Sequence, residues 1–85
     1  MDITLRFFAS VREALGTAQE ALTLPEQVAT VGAVRQHLRA RGGAWELALA
    51  DERPLRMACN HVMCGAETPL TAGCEVAFFP PVTGG

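Results

Sequence analysis

The stretch EVAFFPPVTGG, residues 75–85, stands at the end of this chain and separates a folded part from a tail. Its first five residues alternate as a half-buried β-strand does. Successive side chains of a strand point to opposite faces of the sheet. We therefore expect Val76 and Phe78 to face inward and Ala77 and Phe79 to face outward. Pro80 and Pro81 end the strand, because proline has no N–H to donate to a sheet. We therefore expect a domain over residues 1–79 and an extended tail over residues 80–85.

The composition favours one small globular domain. The chain has 85 residues, of which 49% are hydrophobic and 19% are charged. A formal net charge of −2 argues against a nucleic-acid partner, which would require a basic face. No apolar run is long enough to span a bilayer, and the first residues lack the layout of a signal peptide. We expect a soluble cytoplasmic protein with no membrane partner.

Two strands are predicted near the start of the chain. Residues 3–8, ITLRFF, alternate, so three side chains face the core: Ile3, Leu5 and Phe7. Phe8 then faces the opposite side. Residues 20–24 are predicted to form a second strand, which Pro25 ends. Between the two strands, Ser10 and Glu13 have the spacing of a capping box, which predicts a short helix that stops at Gly16.

A longer helix is predicted to follow. Thr30 has the character of an N-cap, and apolar residues then recur on one helix face: Val31, Val34 and Leu38. Arg35 and Arg41 lie off that face, and Arg41 suits the negative end of the helix dipole. Residues 45–49 read as a further short helix that packs Trp45 and Leu49 on the core.

The last third of the chain is predicted to be mainly β-structure. Residues 56–59 and 62–64 read as strands around a turn at Asn60-His61, since Asn tolerates left-handed backbone. With the strand at 75–79, the order becomes strand, strand, long helix and three strands. That order disfavours a doubly wound fold. We expect an α+β protein with a mixed sheet of about five strands, one main helix on one face and short extra helices.

The body of the domain shows no catalytic constellation. His37 and His61 are isolated, and no phosphate loop or metal-ligand cluster is visible. Three cysteines without a CxxC pair are poor candidates for a disulfide framework or a zinc site, so we expect structural thiols: Cys59, Cys64 and Cys74. We expect no bound metal.

The tail is therefore the candidate functional element. Residues 80–85 can extend at most roughly 20 Å, and glycine at both final positions lets the tip enter a narrow slot. The carboxylate of Gly85 is an anion and a poor electrophile, so it needs activation, most simply as a mixed anhydride with AMP. An amine nucleophile would make the chain a protein modifier, and a sulfur nucleophile would make it a sulfur carrier. The chain has no lysine, so it offers no side-chain amine for conjugation.

An exposed apolar patch is predicted beside the tail. Phe8 and Phe79 both face outward, and Met63 lies off the core register. Such a patch marks a protein interface. The alternative is that a helix or loop covers these side chains within the monomer.

These residues resemble the small subunits of molybdopterin synthase, over essentially the whole chain. The most specific segment is residues 75–85. Supporting segments are Phe7-Phe8-Ala9, Val11-Arg12-Glu13, Trp45-Glu46-Leu47-Ala48-Leu49 and Pro69-Leu70-Thr71. The resemblance implies a β-grasp, ubiquitin-like fold. It also implies that Phe8, Met63 and Phe79 contact partner proteins.

The resemblance further implies a sulfur-carrier cycle. An activating enzyme that uses ATP and Mg²⁺ adenylates Gly85, and a sulfur donor such as a cysteine desulfurase or a rhodanese-like protein converts it to a thiocarboxylate. The tail, Pro80, Pro81, Val82, Thr83 and Gly84, then inserts into the large synthase subunit. There the sulfur passes to cyclic pyranopterin monophosphate, in two rounds per molybdopterin dithiolene. The chain itself binds no cofactor and is not an enzyme on its own; the usual assembly is a heterotetramer.

Two other functions stay open. The sulfur carriers of thiazole synthesis share the fold and the Gly-Gly end, although the Phe-Phe-Pro-Pro segment fits them less well. A ubiquitin-like modifier that forms isopeptide bonds is the second alternative.

Overall fold

A computed structural model describes residues 1–81 of the chain. In chain order its elements are β1 Asp2–Phe7, α1 Ala9–Leu15, β2 Gln19–Thr23, α2 Val31–Arg39, α3 Gly43–Ala48, β3 Arg56–Cys59, β4 Val62–Cys64 and β5 Glu75–Phe79. The strands form a five-stranded sheet in the order β2-β1-β5-β3-β4. The β1–β5 pair is parallel and the other three pairs are antiparallel. The predicted α+β architecture with a mixed sheet is therefore confirmed.

The core lies between one face of the sheet and the helices. β1 buries alternate residues, as predicted, and β5 contributes Val76 and Phe78 to the same core. The predicted helix face is fully buried: Val31, Val34 and Leu38 are each 0% exposed. Phe7 stacks on Phe78 with ring centroids 6.3 Å apart and meets the edge of Trp45 at 5.6 Å. These contacts join the central strands to α2 and α3.

Several predicted local features are confirmed. The Ala33 N–H donates to Thr30 Oγ1 at 3.1 Å, which makes Thr30 the N-cap of α2. Gly16 ends α1 with a left-handed φ of 73°. Asn60 and His61 both have positive φ, which is the geometry of a two-residue hairpin turn.

The predicted capping box at Ser10 is wrong. α1 begins at Ala9, and its N-cap is Phe8, which has no side-chain cap. The sheet decides this boundary, because the Phe8 N–H donates to the Phe78 carbonyl at 3.3 Å and keeps Phe8 extended. The Phe8 carbonyl then accepts from the N–H groups of Val11 and Arg12. Ser10 consequently lies inside the first helical turn.

Arg35 also departs from expectation. The prediction that it lies off the apolar face of α2 is wrong: Arg35 follows Val31 by four residues, which places it on that face, and it is only 9% exposed. Its guanidinium donates to three backbone carbonyls: Leu49 at 2.7 Å, Ala50 at 2.5 Å and Arg53 at 3.2 Å. The Ala50 and Arg53 carbonyls also accept from the N–H groups of Arg53 and Leu55, so Arg35 adds a second donor to each. The Leu49 carbonyl, at the end of α3, receives its donor from Arg35. Burial lowers the pKa of Arg35, and the negative charge of Asp51 opposes that shift.

Arg41 has a different role from the one predicted. α2 ends at Arg39 with Ala40 as its C-cap, so Arg41 lies beyond the helix. Its guanidinium donates to both carboxylate oxygens of Glu20, at 2.9 and 2.5 Å. It also lies 4.3 Å from the centre of the Trp45 ring. Arg41 therefore ties β2 to the α2–α3 connection.

We predict that Arg35→Met lowers the free energy of unfolding by about 2–3 kcal/mol, because it removes the donor to the buried Leu49 carbonyl and a second donor from the carbonyls of Ala50 and Arg53. Urea unfolding measures the change. Arg12→Met, at an exposed position of α1, is the matched control and should change stability by less than about 0.5 kcal/mol. Equal stability of the two variants would contradict a structural role for the Arg35 hydrogen bonds.

The Glu20–Arg41 pair predicts a pH-dependent contribution to stability. The hydrogen bond from Arg41 holds the pKa of Glu20 below its ordinary value of 4.5. A depressed carboxyl pKa stabilises the fold above the unfolded pKa, and this contribution is lost as pH falls through the folded pKa. We expect Glu20→Gln to cost about 0.5–1 kcal/mol at pH 7, since the pair is partly exposed.

Urea titrations of Glu20→Gln and the wild type from pH 7 to pH 3 would test this. The stability difference should shrink below the ordinary pKa of Glu20. The exposed Glu13→Gln is the control. A difference that stays constant with pH would show that the carboxylate charge is not its source.

Candidate functional site

The tail leaves the domain from the middle of the sheet. β5 lies between β1 and β3, and Phe79 is its last residue. Pro80 and Pro81 follow and are partly buried. The tail residues Val82, Thr83, Gly84 and Gly85 lie outside the described residues, so their assigned roles stay predictions. The described part of the site is thus the surface around the base of the tail.

Two phenylalanines flank this base on the sheet face that the helices do not cover. Phe8 follows β1 and Phe79 ends β5, and because these strands are parallel, both residues reach the same edge of the sheet. Their rings meet edge to face, with centroids 6.3 Å apart. The sequence predicted that both would face outward, and the structure brings them into contact.

Met63 lies on the same face, farther from the tail. It is paired with Ala58, which in turn is paired with Ala77. Met63 therefore lies two strand spacings, or about 10 Å, from β5. We call the surface formed by Phe8, Met63 and Phe79 the outer patch.

The outer patch is largely open. Phe8 is 40% exposed and Met63 57% exposed, whereas Phe79 is partly buried. The alternative that other parts of residues 1–81 cover these side chains is thus wrong for Phe8 and Met63. Between them, the small side chains of Ala58 and Ala77 form a shallow floor with only 7% and 6% exposure. Ala77 faces outward, as predicted, but its neighbours on three strands bury it.

An apolar groove of about 450 Å³ lies on the other side of the tail base. Its walls come from α1, α3 and the segment before β3, and they include Val11, Ala14, Leu47, Leu55, Pro80 and Pro81. Sequence analysis missed this groove, because it depends on how α1 packs against α3. Leu47 lies on one wall and is 67% exposed, but in the sequence it resembled an ordinary surface leucine.

The other candidate residues do not form a second site with the tail. His61 is exposed and lies 3.4 Å from the Glu75 carboxylate. Cys59, Cys64 and Cys74 are free thiols, and Cys74 is buried. Burial, together with the neighbouring Cys74 and Cys64, raises the pKa of Cys59. A raised thiol pKa leaves little thiolate at neutral pH, in line with structural thiols.

Residues 1–81 contain no group of His, Cys, Asp and Glu side chains that could hold a metal ion. The helices of this same portion are all too short or too polar to cross a membrane.

The comparison with protein families agrees with this geometry. The ThiS family model matches residues 5–85, which includes the sheet, the outer patch and the Gly-Gly end. The chain belongs to the ThiS family. Among curated ThiS relatives, the "Molybdopterin synthase sulfur carrier subunit" of Escherichia coli K12 is 48% identical over 83 residues. That match covers 98% of this chain and 99% of the relative.

A second relative has the same name. The "Molybdopterin synthase sulfur carrier subunit" of Haemophilus influenzae is 42% identical over 83 residues, with 98% of this chain and 99% of the relative covered. The resemblance predicted from the sequence is therefore confirmed.

Solved structures agree on the ThiS fold. SAMP1 from Haloferax volcanii superposes with a TM-score of 0.76 at 23% identity and full coverage of both chains. A chain from the complex of subunits 1 and 2 of the molybdopterin-converting factor of Helicobacter pylori gives a TM-score of 0.68 at 20% identity, also with full coverage. At these identities the likeness concerns the fold alone. The predicted β-grasp, ubiquitin-like fold is confirmed.

Proposed function

We propose that this chain is the sulfur-carrier subunit of a molybdopterin synthase, and that its working group is the carboxyl of Gly85. The 48% identity to the Escherichia coli sulfur carrier subunit over nearly the full length of both chains carries this proposal. The family match includes the Gly-Gly end, so the reactive position is part of the similarity. The tail begins directly after the central strand β5 and beside the outer patch, which supports the proposal further.

The carboxylate must first be made electrophilic. It attacks the α-phosphate of ATP on an activating enzyme, where Mg²⁺ neutralises the phosphate charge, and pyrophosphate leaves. The resulting acyl adenylate accepts sulfur from a donor such as a cysteine desulfurase or a rhodanese-like protein. The terminal sulfur of the donor's persulfide bonds to the Gly85 carbonyl and AMP leaves. A thiol then reduces the resulting acyl disulfide, which releases the thiocarboxylate on Gly85 and leaves a disulfide. Glycine favours both steps, since it has no side chain beside the carbonyl.

To deliver this sulfur, the tail has to enter a partner protein while the folded domain stays bound to the partner's surface. We propose that Pro80, Pro81, Val82, Thr83 and Gly84 occupy a channel in the large synthase subunit and that the outer patch docks on its surface. The Helicobacter pylori neighbour is described as a complex of two subunits. In the channel the thiocarboxylate transfers its sulfur to cyclic pyranopterin monophosphate, and the carboxylate is regenerated for another round.

Sulfur carriage for thiazole synthesis and isopeptide modification are the competing functions. A fold shared with SAMP1 at 23% identity does not favour modification, because the β-grasp fold hosts several functions. Molybdopterin formation from cyclic pyranopterin monophosphate, purified large subunit and thiocarboxylated chain would decide for the proposed function. Lysine-linked conjugates without any thiocarboxylate in the native cell would decide for a modifier.

We predict that deleting Gly85 abolishes molybdopterin formation and leaves the domain folded, because the hydrophobic core of the described residues is built between Ile3 and Phe78. Mass spectrometry of the wild type should find the exchange of one oxygen for one sulfur atom, and the deletion variant should lack it. Circular dichroism and urea unfolding serve as the fold controls. A truncated chain that still forms molybdopterin would overturn the role of Gly85.

We predict that Phe79→Asp weakens binding to the large subunit by at least about tenfold, since a charge would be desolvated at an apolar contact. Calorimetric titration measures the affinity. Gln27→Asp adds the same charge at an exposed loop position between β2 and α2, and its affinity should stay near that of the wild type. Equal affinities for the two variants would remove Phe79 from the interface.

A further inference from the structure

We propose that the outer patch is selective for acidic partners, because Arg6 and Arg56 flank it and each is placed to bind a carboxylate of the protein that receives the tail. This inference rests on the proposed function, since it describes the docking surface of that carrier. The partner must then present carboxylate side chains to Arg6 and Arg56.

Arg6 lies beside the aromatic pair with unused hydrogen-bonding capacity. It is paired with Ala77 on β5, and its guanidinium lies 5.4 Å from the centre of the Phe8 ring. Within residues 1–81 its nearest carboxylate is Glu75 at 3.8 Å, which is longer than a hydrogen bond. Glu75 also faces His61 at 3.4 Å, so Arg6 does not hold that carboxylate alone. Arg6 Nε is buried and has no hydrogen-bond partner in this part of the chain.

Arg56 lies on the other side of the tail base. It begins β3, where its register partner on β5 is Phe79, so both side chains stand on the outer face. The side chain is exposed, and none of the carboxylates in the described ranges forms an ion pair with it. Arg56 therefore presents a free guanidinium next to Phe79.

The two arginines and the apolar floor form one recognition surface. One strand lies between β1 and β3, and the register offsets Arg56 from Arg6 by two residues. Strand spacing and rise then place their Cα atoms about 12 Å apart. Ala77 lies between them on β5 and Ala58 lies beside Arg56 on β3, and these small side chains leave room for a partner side chain. The surface fits an apolar group in the centre with carboxylates at its margins.

The remaining charges make this patch distinctive. The chain has a net charge of −2, yet both charged side chains that border the aromatic pair are cationic. In contrast, Arg35, Arg39 and Arg41 on the helix side are engaged with carbonyls or carboxylates of the chain. Arginine binds carboxylates through two parallel N–H donors, and a basic partner surface would be repelled. Complementary charge of this kind sets partner choice and the rate of association.

The test measures binding to the purified large synthase subunit from the same organism at low and high NaCl, with the full-length chain. We expect Arg6→Met and Arg56→Met each to weaken binding about fivefold at low salt, and the double variant about 25-fold if the two effects add. The variants should also lose part of the salt dependence of the wild type, because screening acts on the charges that they remove. Arg56→Lys keeps the charge and should retain most of the salt dependence.

Arg39→Met is the matched control, since it removes the same charge from α2 on the opposite side of the domain. We expect it to change the affinity by less than about twofold. Circular dichroism checks each fold. Because Arg56 is exposed, its variant remains informative even if Arg6→Met destabilises the sheet. Affinities and salt dependences that match those of Arg39→Met would overturn the proposal.

Failure of this inference can be told apart from failure of the proposed function. Molybdopterin formation by the wild-type chain and the large subunit tests the function alone. If the wild type binds and forms product while the arginine variants bind equally well, only the charge selectivity is wrong. A wild-type chain that binds no large subunit would overturn both.

Discussion

The parallel pairing of β1 with β5 is the constraint on which the rest of the molecule depends. It joins the first and last strands of the described domain in the centre of the sheet. Because parallel strands share a direction, the residues that follow each strand emerge at one edge. Phe8 and Phe79 meet there, and the tail starts between the open sheet face and the α1–α3 groove. Inside the core, the same pairing sets Phe7 beside Phe78.

The helices complete the fold and leave one sheet face free. α2 fills the inner face with Val31, Val34 and Leu38, and Arg35 fixes the irregular segment between α3 and β3. That segment forms part of the groove beside Pro80 and Pro81. The fully buried large apolar side chains of β1 and β5 therefore lie on one side of the sheet. The opposite side keeps an aromatic pair, a floor of alanines and two arginines available for a partner.

Sequence patterns predicted the elements better than the connections between them. β3, β4 and β5 have the predicted bounds, since alternation and a left-handed turn at Asn60-His61 are local signals. The capping box at Ser10 failed because a sheet hydrogen bond at Phe8, a tertiary contact, sets the start of α1. The burial of Arg35 was missed because an arginine normally faces water, although its spacing of four residues from Val31 places it on the apolar face of α2. Only its hydrogen bonds to the 49–53 segment make this burial favourable.

The candidate site was predictable to a similar degree. Outward phenylalanines could be read from period-two patterns, whereas their contact required the pairing of distant strands. Arg6 and Arg56 resembled ordinary outward charges of a strand, and their position on either side of Phe79 depends on the register of three strands. The groove depends on helix packing and left no periodic signal in the sequence.

The position of Met1 has a practical consequence for handling the protein. The Met1 carbonyl accepts from the Leu24 N–H at 2.8 Å, and its amine donates to the Leu24 carbonyl at 3.2 Å, so the amino end is fixed at the start of β1. The tail begins at the opposite edge of the sheet, one strand length or about 20 Å away. A purification tag or fluorescent label attached through a linker at the amino end thus stays remote from the tail. The same addition at the carboxyl end would cap the Gly85 carboxyl, on which the proposed function depends.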